Sequence, residues 1–121
     1  MIEYSYKTIH SLRHAKHRKF YNKFVIEGKR VVRSALVYNA NIDTIFCNDN
    51  FLKENKSWVK KFLKKGTIIK KINKKTILKI SNTKSPQGIL AVCNIPKQNR
   101  IKLTMDRWIY LDRISDPGNM G

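Results

Sequence analysis

Acidic residues are scarce in this chain of 121 residues, where 8 Asp and Glu stand against 26 Lys and Arg for a formal charge of +18. Such an excess says little about fold but selects polyanionic partners. Long apolar runs are also missing. None approaches the roughly 18 residues of a membrane-spanning helix, and no basic amphipathic tail stands apart from the rest, which argues against a membrane partner. RNA is the polyanion that remains, since each phosphate neutralised by Lys or Arg releases counterions. A genome rich in Lys, Asn and Ile codons would explain part of the lysine count, but not the clustering. Cysteine is rare. Cys47 and Cys93 lie far apart in strand-like runs with no metal-ligand or redox spacing, as expected of buried free thiols in a reducing compartment. The start, Met1-Ile2-Glu3-Tyr4, lacks an apolar signal core, so the expected location is cytoplasmic. There is no internal repeat or low-complexity tract, and the length suits one domain with one modest core.

What is present alternates between strand and helix patterns. Tyr6, Ile9 and Leu12 predict one basic helix through about Leu12, followed by an irregular basic stretch to Tyr21. Residues 24–27 read as a strand, and Gly28 allows a turn into a helix with Val31, Val32, Ala35 and Leu36 on one face and Lys29, Arg30 and Arg33 on the other. Residues 42–47 form the second expected strand, closed by the turn residues Asn48-Asp49-Asn50. Phe51, Leu52, Trp58, Val59, Phe62 and Leu63 make one apolar stripe along a single helix ended by Gly66. Residues 67–69, 74–80 and 88–93 complete the series as strand, helix and strand. The alternation predicts a layered α/β/α domain with a largely parallel sheet. Residues 96–106, without periodicity, read as a linker.

Several groups invite a chemical reading. Lys7, Arg13, Lys16, Arg18 and Lys19, interleaved with Tyr4, Tyr6, Phe20 and Tyr21, have the composition of an RNA contact. The cations are assigned to RNA, and the aromatics individually to the core. Glu27 is expected to close onto a nearby cation such as Arg18. Residues 53–79 hold eleven lysines and one acid, Glu54, but there the lysines alternate with core positions and suit a solvated face. His10, His14 and His17 have the spacing of ligands on one helix face. The surrounding cations would repel a metal, so the three are assigned to the basic surface.

The chain ends Leu111-Asp112-Arg113-Ile114-Ser115-Asp116-Pro117-Gly118-Asn119-Met120-Gly121. Trp108 to Leu111 reads as a short buried strand, and a glycine-bounded polar turn after a strand is where α/β folds place ligands. With Lys16-His17-Arg18, Phe24-Val25-Ile26-Glu27-Gly28 and Ser85-Pro86-Gln87-Gly88-Ile89 in the same order, this ending resembles the SpoU (TrmH-like) class of SPOUT RNA ribose methyltransferases, over nearly the whole chain. The resemblance implies a substrate-binding domain over residues 1–95, similar to the kink-turn-binding ribosomal protein fold. It implies a linker over 96–106 and, over 107–121, the first strand of a truncated knotted methyltransferase domain. It further implies S-adenosylmethionine as methyl donor and structured RNA, ribosomal in preference to transfer RNA, as substrate. Asn119 would help to orient the reacting ribose, Lys84 and Gln87 would lie on the RNA-facing edge, and dimerisation would use the absent domain. On this reading the chain is a fragment that does not methylate RNA by itself. The competing expectation is a stand-alone, non-catalytic RNA-binding protein of the kink-turn type.

Overall fold

A computed structural model describes residues 4–63 and 66–97. The expected strand at Trp108, the turn bearing Asn119 and most of the expected linker lie outside the described residues. Ten elements follow in order: α1 (Tyr6–Ser11), α2 (Ala15–Tyr21), β1 (Lys23–Glu27), α3 (Lys29–Val37), β2 (Ile42–Cys47), α4 (Asp49–Glu54), α5 (Lys56–Phe62), β3 (Ile69–Lys71), α6 (Lys74–Ile80) and β4 (Ile89–Asn94). The stretch after Leu12 is therefore helical rather than irregular. α2 buries none of its own residues, so it leaves no apolar stripe in the sequence to detect.

Short polar side chains set the helix starts. Ser5 accepts from the Thr8 amide, Asn48 from that of Phe51 and Asn73 from that of Thr76, each satisfying a donor the helix cannot. The Asn48-Asp49-Asn50 turn is thus the capped start of α4. Asn55, at φ −122° and ψ 35°, leaves the helical conformation and divides the single helix expected over the apolar stripe, while its side-chain and backbone amides both donate to the Phe51 carbonyl (3.0 Å each).

The four strands are ordered β1-β4-β2-β3. β2 and β3 are parallel, whereas β4 runs antiparallel to both β1 and β2, so the sheet is not largely parallel as the alternation of elements suggests. The reversal has a local cause. After α6 the chain reaches the carboxyl ends of β1 and β2, where the Gly28 amide donates to the Ile89 carbonyl and the Asn48 amide to that of Gly88. β4 therefore enters the gap from the opposite end. The third strand also sits later than the expected residues 67–69, pairing Ile69, Lys70 and Lys71 with Ile45, Phe46 and Cys47.

β4 is central and apolar on both faces. Leu90 and Val92 join Tyr4, Ile9, Leu12, Phe46, Ile77 and Ile80 in the layer beneath α1 and α6. Ile89, Ala91 and Cys93 join Val32, Ile45, Cys47, Phe51 and Trp58 beneath α3, α4 and α5. Alternate strand residues thus feed opposite cores, giving the expected three layers. Val31 departs from the expected α3 stripe and is exposed. Both cysteines are buried free thiols, and burial, reinforced by Asp43, pushes the Cys93 thiol up to about 11.

At the far end of the sheet, the Tyr4 hydroxyl donates to Asp43, and Lys23 donates to Asp43 (3.2 Å) and to Asn94. Burial acts to raise the Asp43 carboxyl, but the hydrogen bonds from Tyr4 and Lys23 and the Lys23 charge outweigh it and hold the group below its ordinary value. A carboxyl depressed by folding stabilises above its unfolded value and loses that contribution as pH falls through the folded one. Asp43→Asn is therefore expected to cost about 1–3 kcal/mol at pH 7 by urea denaturation, with the gap to wild type closing as pH falls below about 4. A gap that stays constant down to pH 3 would remove the carboxylate charge as its source.

Candidate nucleic-acid interface

Beside the carboxyl ends of β1 and β2 lies a concavity lined by three cations. β1 ends at Glu27, and Gly28, at φ 93°, turns the chain into α3. A side chain would be strained at that φ, and a Cβ would lie 3.1 Å from Gln87 Oε1. The same Gln87 oxygen accepts from the Lys29 amide (2.8 Å), which fixes the loop between α6 and β4 against the start of α3. Glu27 holds the other end of that loop, accepting from Ser81 Oγ and the Asn82 amide, both at 2.7 Å.

These anchors shape a cleft of about 560 Å³ lined by Lys29, Arg30, Arg33, Phe51, Asn55, Trp58 and Gln87. Its cations occupy the first two turns of α3, where the helix dipole disfavours positive charge. No carboxylate among the described residues pairs with any of the three, and Arg33 instead lies over the Phe62 ring, 5.0 Å from its centroid. Trp58 is 7% exposed, packs edge-on against Phe51 at 5.4 Å, and leaves its indole Nε1 buried with no partner. Chemically, the cleft offers cations for phosphate and amide side chains at Asn55 and Gln87 for a base edge, against a wall of buried Phe51 and Trp58.

The residues expected from the sequence divide among three places. Gln87 lines the cleft, and Lys84 is exposed on the same loop. Lys16 and Lys19 lie exposed on α2, beside a separate concavity that they share with His17, Phe20 and Tyr21. Lys7 and Arg13 are exposed at α1 and just after it, lining neither concavity. Arg18 also makes structural contacts. Its Nη1 donates to the Leu12 and Arg13 carbonyls at 3.1 and 2.7 Å, closing the end of α1 and orienting α2. Arg18 is thus not Glu27's partner, since that carboxylate is held by Ser81 and Asn82. The aromatics also divide: Tyr4 is core, whereas Phe20, Tyr6 and Tyr21 are exposed. His10 falls on α1, His14 at the start of α2 and His17 within α2, so the break between the helices removes the single face their spacing suggests. Asn119 lies outside the described residues.

Lys29, Arg30 and Arg33 are the cleft residues that periodicity assigns to a solvated face. The signal for them is local conflict. α3 has no acid in its first turn and three cations in its first five positions, an arrangement more often found where function overrides local preference.

Comparison with known proteins identifies the family. Residues 5–91 match the model of the MRM3-like substrate binding domain. The chain is 30% identical over 107 residues to the 23S rRNA (guanosine(2553)-2'-O)-methyltransferase RlmP of Bacillus subtilis (strain 168), covering 88% of this chain and 40% of that protein. Among solved structures, an AdoMet-bound rRNA methyltransferase from Sinorhizobium meliloti matches at 22% identity and TM-score 0.56, covering 77% of this chain and 34% of that one. A putative RNA methyltransferase of the TrmH family from Porphyromonas gingivalis matches at 20% identity and TM-score 0.63, covering 82% and 38%. The structural likenesses establish the fold, and the chain spans about 40% of the length of its curated relative. The chain belongs to the MRM3-like substrate-binding domain family, found in RNA methyltransferases of the SpoU (TrmH-like) class.

Proposed function

We propose that residues 1–95 form the RNA-binding domain of an S-adenosylmethionine-dependent ribosomal RNA 2′-O-ribose methyltransferase. Residues 96–106 would link it to a methyltransferase domain beginning at 107–121. The observation that carries this reading is the cationic, aromatic-backed cleft built by Gly28, Glu27 and Gln87 within the stretch that matches the family model. In this reading phosphates meet Lys29, Arg30 and Arg33, and an unpaired base enters between the amide side chains and the Phe51–Trp58 wall. Methyl-donor binding does not belong to the cleft. S-adenosylmethionine carries a sulfonium cation, which three unpaired cations would repel.

Ribose methylation needs the 2′-hydroxyl held in line and its proton drawn off, which is largely positioning. The resemblance gives part of that task to Asn119. In the protein that carries residues 1–121 in full, Asn119→Ala should lower methylation of ribosomal RNA about a hundred-fold while RNA affinity stays within about two-fold, as for a group acting in the transition state. Labelled methyl incorporation and filter binding give the two numbers. Full activity in the variant would remove the role of Asn119. Failure of the unaltered protein to methylate ribosomal RNA would overturn the functional reading.

A further inference from the structure

We propose that the exposed face of α2 around Phe20 is a second RNA contact, a platform on which one unpaired base stacks, separate from the cleft. The proposal rests on the RNA-binding reading above and deepens it. Phe20 is 79% exposed, a cost that a large apolar ring ordinarily avoids, and α2 buries none of its residues. The helix is nevertheless fixed in place: Arg18 ties it to the carbonyls that end α1, and Asn22, at φ 53°, closes it into β1. Beside the Phe20 ring, the Tyr21 ring lies edge-on with centroids 4.9 Å apart at 86°. One face of Phe20 is thus not taken by Tyr21 in a stacked arrangement and is free for another ring.

Charge identifies the occupant. Lys16, His17 and Lys19 share with the two rings a concavity of about 590 Å³, and α2 carries no acid. Cations flanking an exposed aromatic suit a backbone of phosphates and a base with a π-face, which is the general way single-stranded nucleic acid is held. A cationic protein partner would be repelled. The platform and the cleft share no lining residue and lie at opposite ends of β1, whose five residues span about 15 Å. One RNA that reaches both would therefore touch the domain at two points.

The test compares two RNAs on the full chain: a perfect hairpin stem, and the same stem carrying an unpaired single-stranded flank. Wild type should prefer the flanked RNA by about ten-fold, the scale of one stacked base. Phe20→Ala and Phe20→Leu should both erase that preference, Phe20→Trp should keep it, and binding to the bare stem should be unchanged in all three. Because Phe20 is exposed, thermal unfolding should match wild type for each variant. Retained preference in Phe20→Leu would show mere apolar contact and overturn stacking. Preference unaffected in both Leu and Ala would overturn the platform alone, as would loss of self-association by Phe20→Ala without change in RNA binding. No binding of either RNA by wild type would overturn the RNA reading itself.

Discussion

Replacing Lys29, Arg30 and Arg33 together by glutamate is expected to weaken binding of a structured RNA by a hundred-fold or more at about 0.15 M salt. Each phosphate neutralised contributes close to one unit of slope in log affinity against log salt, or about five-fold in affinity at that ionic strength. Three such contacts compound to about a hundred-fold, and the reversed charges add repulsion. The neutral variant, with glutamine at all three positions, should lose about three units of salt slope, while the same change at Lys60 and Lys61 should leave the slope nearly intact. That contrast separates a phosphate site from general basicity: net charge falls by three in the first set and by two in the second, so general basicity alone would make the two slope losses differ only in that proportion. The three residues are exposed and unpaired with carboxylates, so the fold should be unaffected. Equal loss from both sets would move the contact to the whole surface. No loss from the α3 set would remove the cleft from RNA binding.

The sequence makes the local elements readable where burial and capping coincide. β2 falls on residues 42–47 as expected, because an apolar run there meets the capping Asn48. α6 falls on 74–80 for the same reason, with Asn73 as its cap. What the sequence cannot display is anything fixed by distant partners. The direction of β4 depends on hydrogen bonds from Gly28 and Asn48 to its start, two contacts between residues far apart in the chain. α2 buries nothing and so has no period. The split at Asn55 lies in one residue's non-helical backbone within an otherwise continuous apolar stripe.

The site divides along the same line. Gln87 is legible only through the resemblance of Ser85-Pro86-Gln87-Gly88-Ile89, and the structure supplies the mechanism: its carboxamide caps Lys29 and walls the cleft. Arg18 is basic and near the expected contact, and its Nη1 also ends α1 through two carbonyls, which charge alone does not reveal. Lys29, Arg30 and Arg33 become meaningful once the loop is seen to face them.

Gly88→Ala is expected to destabilise the domain by about 2–4 kcal/mol, and with it to disable the cleft. Gly88 sits at φ 85°, a conformation that costs a side-chain-bearing residue about 1 kcal/mol or more. The added Cβ would also fall 2.7 Å from Asn48 Oδ1, closer than such atoms approach. Asn48 cannot move without loss, because the same oxygen caps the Phe51 amide at 2.8 Å and the Asn48 amide donates to the Gly88 carbonyl at 3.0 Å. Losing the cap adds about 1 kcal/mol. Phe51 then loses its anchor beside Trp58, so one methyl group acts on the turn, on α4 and on the cleft wall together. Urea denaturation should show the lower midpoint, and RNA binding at a temperature where the variant is still folded should fall more than in a variant equally destabilised at Asp43. Asn48→Ala in the Gly88→Ala background should relieve the clash, so the double variant should lose less than the two single losses added together. Strict additivity would show that the glycine is required by its φ alone and that Asn48 takes no part.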